Sequence, residues 1–160
     1  MSEALASHLA AKVDLHKELH GYFIEDLESG MTAFYSRTVT EADIVLFAGI
    51  SGDFNPLHLN REFGEQTQFG GCIAHGMLTA SLISTVVGTK LPGPGAIYMA
   101  QNLRFRAPVR AGDTVTARAT VVDVDKKRRR CKLDTICIIG DDVVVDGDAL
   151  LLVPSRTMFD

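Results

Sequence analysis

Between residues 114 and 124 the chain alternates strictly: Val115, Ala117, Ala119 and Val121 fall on one side, Thr116, Arg118 and Thr120 on the other. A period of two belongs to a strand with one buried face. Residues 96–107, 131–139 and 143–153 have the same strand character, although the last alternates less cleanly. An earlier run, MTAFYSRTVT over residues 31–40, is rich in β-branched and aromatic residues and reads as a fifth strand. The stretches between the last four runs are short and charged or turn-like, which implies antiparallel neighbours rather than crossover units.

The helical signals are fewer. Residues 76–88, GMLTASLISTVVG, carry no charge on any face, so the pattern predicts a helix buried all round and wrapped by the sheet. Thr40 opens a shorter helix, with Asp43 in the reciprocal capping position three residues on. That helix should end near Gly49, because Ser51, Gly52, Asn55 and Pro56 all favour turns. Residues 4–20 place Leu5, Leu9 and Val13 on one side of a further helix stopped by Gly21. The prolines and glycines of KLPGPG, residues 90–95, break either period and make a loop.

These elements sum to an α+β layout: about five antiparallel strands around one long helix. The expected division is an N-terminal extension over residues 1–27, partly helical, a single domain over 28–155, and a short tail over 156–160. One open sheet leaves an edge, and edge-to-edge pairing into a homodimer is a natural way to complete it.

Composition narrows the classes. The 160 residues are 46% hydrophobic, enough for one well-packed domain. Sixteen basic against twenty acidic residues give a net charge of −4, without the basic excess of a nucleic-acid protein. No apolar run reaches bilayer length, so no membrane span is expected. The first twenty residues carry Glu3, Asp14 and Glu18 and resemble neither a secretory signal nor a transit peptide; a cytoplasmic location is the expectation. Cys72, Cys131 and Cys137 form no CxxC pair, and buried thiols are expected rather than disulfides.

The densest chemical signal is Ser51-Gly52-Asp53-Phe54-Asn55-Pro56-Leu57-His58. An Asn-Pro turn can fold a carboxylate and an imidazole five residues apart toward one point, where they could hold a water between them. By composition alone, a turn-stabilising Asp and a structural His are the commoner explanation of the pair. The long helix should begin near His75-Gly76, where unpaired amides and the helix dipole favour negative charge. The Gly76 amide could then receive a thioester oxygen as it becomes enolate-like; a glycine selected for close packing is the alternative. Gly76, Ala80, Ser84 and Val87 follow at helical steps and would form a slot for an acyl chain, unless Ser84 only bonds its own helix backbone.

Residues 47–58, the later Ile73-Ala74-His75-Gly76-Met77-Leu78, and Ile97-Tyr98 together resemble the MaoC-like (R)-specific enoyl-CoA hydratases, especially the bacterial enzymes that feed polyhydroxyalkanoate synthesis. The likeness spans roughly residues 28–155. It implies a hot-dog fold, a homodimer, and reversible syn hydration of trans-2-enoyl-CoA to (R)-3-hydroxyacyl-CoA. It also implies that Asp53 and His58 are catalytic, that Gly76 forms the oxyanion hole, and that Ser84 supports the substrate; Asn55 of the turn and Val87 of the helix stripe are further candidate substrate contacts. Coenzyme A is then part of the substrate, with no separate cofactor and no metal.

Other signals are weaker. The run Lys126-Lys127-Arg128-Arg129-Arg130 reads as a solvated hairpin tip, with contact to coenzyme A phosphates as the functional alternative, for which Arg104, Arg106 and Arg110 compete. His16 and His20 are four apart but lack a third ligand, and His75 reads as fixing the loop before the helix. The rival functions are a hydroxyacyl dehydratase acting on an acyl-carrier-protein thioester, a hot-dog thioesterase, and a non-catalytic acyl-CoA-binding module.

Overall fold

The computed structural model describes residues 18–158. Residues 4–17 of the expected N-terminal helix, and with them the His16 part of the histidine pair, lie outside the described residues. Five strands make one antiparallel sheet: β1 (Thr32–Thr38), β2 (Ile97–Phe105), β3 (Thr114–Asp125), β4 (Arg130–Ile139) and β5 (Asp142–Leu152), in the spatial order β1-β3-β4-β5-β2. Four helices stand between β1 and β2: α1 (Glu41–Ser51), α2 (Pro56–Leu59), α3 (Arg61–Glu65) and α4 (Gly76–Thr89). This is the α+β hot-dog arrangement, with α4 packed against β1, β3 and β4.

The alternation that predicts β3 is the alternation that builds the core. Val115, Ala117, Ala119 and Val121 are all fully buried, and in β4 Cys131, Leu133, Thr135 and Cys137 turn inward in the same way. The three cysteines are free thiols. Leu82, Ile83, Val86 and Val87 of α4 close the core from above. Each such side chain, fully buried, stabilises the fold by about 1.5–3 kcal/mol.

Three expectations change. First, α4 is not buried all round. Thr79, Ala80, Leu82, Ile83, Val86 and Val87 face the sheet, while Gly76, Met77, Ser81, Ser84 and Gly88 are exposed. An uncharged helix face shows no preference between facing its own sheet and facing another surface, so periodicity alone overstates the wrapping. Second, β2 and β3 are consecutive but not paired; β2 lies beyond β5, and the segment between them crosses the sheet. Third, the packed body begins before residue 28. Ile24 and Leu27 are core residues, and the Ile24 amide bonds the Pro154 carbonyl.

The capping signal at Thr40 holds. Its hydroxyl accepts from the Asp43 amide, and the Asp43 carboxylate accepts from the Thr40 amide at 2.8 Å. The helix runs two residues past Gly49 and stops at Gly52, whose φ of 76° suits a residue without a side chain.

Candidate active site

The end of α1 delivers the chain into a tight loop that carries Asp53. Asp53 Oδ1 accepts from the Asn55 amide, and Asn55 Oδ1 in turn accepts from the Leu57 amide, capping α2 with Pro56 in its first turn. One turn later His58 leaves α2 and donates through Nδ1 to the Ile73 carbonyl at 2.8 Å. A carbonyl only accepts, so Nδ1 carries the proton of the neutral ring and Nε2 presents its lone pair. That Nε2 lies 4.0 Å from Asp53 Oδ2. Two acceptors at this distance do not bond directly. A single water about 2.8 Å from each would bridge them with its two O–H groups at an angle near 90°.

The pair opens on a cavity of about 440 Å³. The start of α4 contributes Gly76, Met77 and Thr79; β2 and the segment after it contribute Phe105 to Val109; β5 contributes Val145. Most of this lining is apolar, so a chain of methylenes fits it, while the Asp53–His58 pair and the helix start supply polar groups at one end. The Gly76 and Met77 amides precede the helix's own hydrogen-bond ladder, which begins with the Leu78 and Thr79 amides on the His75 carbonyl, and the helix dipole points its positive pole there. Gly76 itself is explained by packing: a Cβ would stand 2.8 Å from the Phe105 ring.

His75 both lines the cavity and fixes the loop. Its Nε2 bonds the Asp53 carbonyl oxygen at 2.9 Å, and its ring packs against His58 in a tilted contact, with centroids 3.8 Å apart and planes 32° from parallel. Asp53, His58 and His75 offer possible ligand atoms within 4.8 Å of one another. His58 Nδ1 and His75 Nε2 are committed to the Ile73 and Asp53 carbonyls, and 4.0 Å exceeds the roughly 3.3 Å between ligand atoms about 2.0 Å from one tetrahedral zinc. The geometry suits a bridging water better than a cation.

Other sequence candidates fall elsewhere. Asn55 spends its side-chain oxygen on the α2 cap. Ser84 is exposed and outside the cavity lining, and Val87 belongs to the core behind it. Each residue turns a helix by about 100°, so the Gly76-to-Ser84 stripe drifts some 80° around the axis. The basic run forms the β3–β4 hairpin tip, where the Arg128 amide bonds Asp125. Leu151 pairs with Cys131 near that tip and Val145 with Cys137 at the cavity. Six residues of strand, about 20 Å, separate the two. Arg106 lines the cavity and holds Asp146 through two nitrogens, keeping that carboxyl below its usual range, whereas Arg110 is a tether bonding the Phe69 and Cys72 carbonyls. His20 Nδ1 lies 2.8 Å from the Gly21 carbonyl.

Sequence reasoning missed Phe69, Thr79, Phe105 and Val145. Phe105 pairs with Val145 across β2 and β5, a register set by the whole sheet and absent from any local pattern.

The chain matches the MaoC like domain over residues 25–138. It is 50% identical over 139 residues to a 3-hydroxybutyryl-CoA dehydratase of Methylorubrum extorquens, covering 87% of this chain and 88% of that one. It is 47% identical to an (R)-specific enoyl-CoA hydratase of Rhodospirillum rubrum, over 84% of this chain and 94% of the relative. An R-hydratase of Pseudomonas aeruginosa, solved in the unliganded form, superposes with a TM-score of 0.81 at 39% identity, over 86% of this chain and 89% of that one. A family match across most of the residues, together with relatives covered along nearly their full length, places the chain in the family of MaoC-like domains.

Proposed function

We propose that the protein catalyses reversible syn hydration of a trans-2-enoyl-CoA to the (R)-3-hydroxyacyl-CoA. The observation that carries this reading is the pair of facing acceptors, Asp53 Oδ2 and His58 Nε2, 4.0 Å apart on the wall of an apolar cavity. The names of the relatives, an (R)-specific enoyl-CoA hydratase and a 3-hydroxybutyryl-CoA dehydratase, describe the two directions of this chemistry.

In this scheme the water donates one O–H to Asp53 and one to His58 Nε2, which turns an oxygen lone pair toward Cβ of the substrate. The thioester oxygen accepts from the Gly76 amide. As the C–O bond forms at Cβ, the π electrons move to the thioester oxygen, and the helix start stabilises the resulting enolate. One water proton passes to the Asp53–His58 pair and on to Cα as the enolate collapses. Hydroxyl and proton arrive from one side, so addition is syn, and the pair ends in its starting protonation state. Asp53 and His58 handle that proton as one acid–base unit. No metal or further cofactor enters this scheme.

A homodimer belongs to the same proposal. β2 is an outer strand, and Ile97, Tyr98, Met99 and Phe105 along it are exposed. Pairing with a second copy would satisfy its open backbone and cover the apolar side chains beside the cavity. Among the described residues no helix is long and apolar enough to cross a membrane; a cytoplasmic location remains part of the proposal.

The deciding experiment follows loss of enoyl absorbance with crotonyl-CoA and resolves the product on a chiral column. Formation of (R)-3-hydroxybutyryl-CoA is expected. Turnover of the acyl-carrier-protein thioester but not the CoA ester would favour the carrier-protein dehydratase instead. Free coenzyme A as the product would indicate a thioesterase, and binding without turnover a non-catalytic module.

A further inference from the structure

His75 sits between the two halves of the site. It is 2% exposed, it directly precedes Gly76, and it touches both Asp53 and His58. Because its Nε2 faces the Asp53 carbonyl, Nε2 must carry the ring proton, and Nδ1 is left as a lone pair. That Nδ1 is buried without a hydrogen-bond partner. A proton added there would find no acceptor within the protein.

The contacts form a reciprocal lacing. His58 reaches from the catalytic loop to the Ile73 carbonyl, and His75 reaches back from the same strap to the Asp53 carbonyl. The strap, residues 73–75, is also tied to the loop side by the Ile73 amide on the Leu57 carbonyl, and it is pinned on its other side by the Ala74 amide on the Val109 carbonyl at 2.7 Å. Phe47 packs against the His75 ring with centroids 5.1 Å apart. Two imidazoles therefore fix how far the water-holding pair stands from the first amide of α4.

We propose that His75 is a positioning residue: its Nε2–H holds Asp53 and, through the ring packed against it, His58 at their working distance from the Gly76 amide. The proposal deepens the hydratase reading and rests on it. Without this donor the Asp53 carbonyl is left unpaired and the loop can relax away from the helix. Misplacement of reacting groups by about 1 Å is enough to cost on the order of 100-fold in rate. His75 shows only 2% of its surface and its Nε2 is spent on the Asp53 carbonyl, so the loss should fall mainly on kcat.

The test compares His75→Leu, which fills space without a donor, with His75→Gln, whose amide nitrogen reaches near the Nε2 position. With crotonyl-CoA, His75→Leu should lose about 100-fold in kcat with KM within about threefold of wild type, and His75→Gln should recover at least about tenfold of that loss. Equal losses in both variants, or a change confined to KM, overturn the proposal. Nitrogen-15 NMR of labelled histidines tests the same lacing without any substrate. Wild type should show His75 as the Nε2–H tautomer and His58 as the Nδ1–H tautomer at pH 7. The His58 tautomer should become mixed in His75→Leu and persist in His75→Gln. A charged or Nδ1–H His75 in wild type, or an unchanged His58 in both variants, overturns the proposal even if His75→Leu fails to fold for kinetics. A wild-type chain with the expected tautomers but no hydration of enoyl-CoA refutes the hydratase reading instead.

Discussion

His58 Nε2 faces Asp53 Oδ2 across 4.0 Å, with the opposite ring nitrogen of His58 committed to the Ile73 carbonyl. That commitment decides the chemistry. A histidine free to choose its tautomer could donate directly to the carboxylate and close the gap; this one, when neutral, offers a second acceptor and leaves room for a water.

Replacing Asp53 with Asn keeps an oxygen for the Asn55 amide but adds an N–H that can occupy the His58 lone pair. His58→Ala removes the second acceptor outright. Each variant should lose about two to four orders of magnitude in kcat, the range for positioned proton transfer. If the two act as one unit, the double variant should be little worse than either single variant. Near-normal crotonyl-CoA hydration by both single variants would refute the assignment.

Gly76→Ala separates the packing and oxyanion roles of that residue. The new methyl would meet the Phe105 ring at 2.8 Å, and Phe105 is 53% exposed, so the ring can swing outward. Stability should fall by no more than about 1–2 kcal/mol, within the usual range for overpacking. Activity should fall further, by about 10- to 100-fold, because the displaced ring and helix start no longer frame the thioester oxygen. Thermal unfolding and kinetics on the same preparation check the split.

The exposed edge of β2 yields a separate expectation. Met99→Lys would place a charge on an outer strand, a device that discourages strand-to-strand association. The wild-type chain should elute as a dimer and the variant should shift toward monomer, measured by light scattering after size exclusion. Loss of activity with dissociation would show that the cavity needs the second copy. Full activity in a monomer would show that it does not.

Much of this fold is legible locally. The alternation of β3 and the Thr40–Asp43 capping pair specify their own geometry within a few residues. The six-residue spacing of Cys131 and Cys137 likewise puts both on the inner face of β4, where burial pushes the thiols up to about 11 and about 12. The backbone of the Asp53–Asn55–His58 turn is legible for the same reason, since the Asn55, Leu57 and His58 amides all bond within it, whereas the Ile73 carbonyl that orients the His58 ring is fifteen residues away. What escapes is whatever long-range packing decides. The sheet order places β2 beside β5, and only that register brings Phe105 and Val145 to the cavity. The rotation of α4 about its axis sends Thr79 toward the site and Ser84 into the open, a choice that a uniformly apolar helix does not encode.

Acid stability tests the α1 cap. The Thr40 hydroxyl and amide, and the Arg37 guanidinium, all donate to the Asp43 carboxylate and hold its carboxyl below the usual range. The charged form is therefore favoured more in the folded chain than in the unfolded one. Its contribution to stability is complete above the ordinary Asp value near 3.9 and disappears as pH falls through the lower folded value. Asp43→Asn should be less stable than wild type at pH 7, by about 1 kcal/mol for a weakened cap. The gap between the two should narrow as pH falls below about 4, where the wild-type carboxylate also becomes neutral. Asp26, held low by Arg156, and Glu25, held low by the Ser155 hydroxyl, contribute with the same sign, so some acid slope should remain in the variant. Urea midpoints between pH 2 and 7 measure the difference. A gap that stays constant across that range would mean that Asp43 supports α1 without its charge.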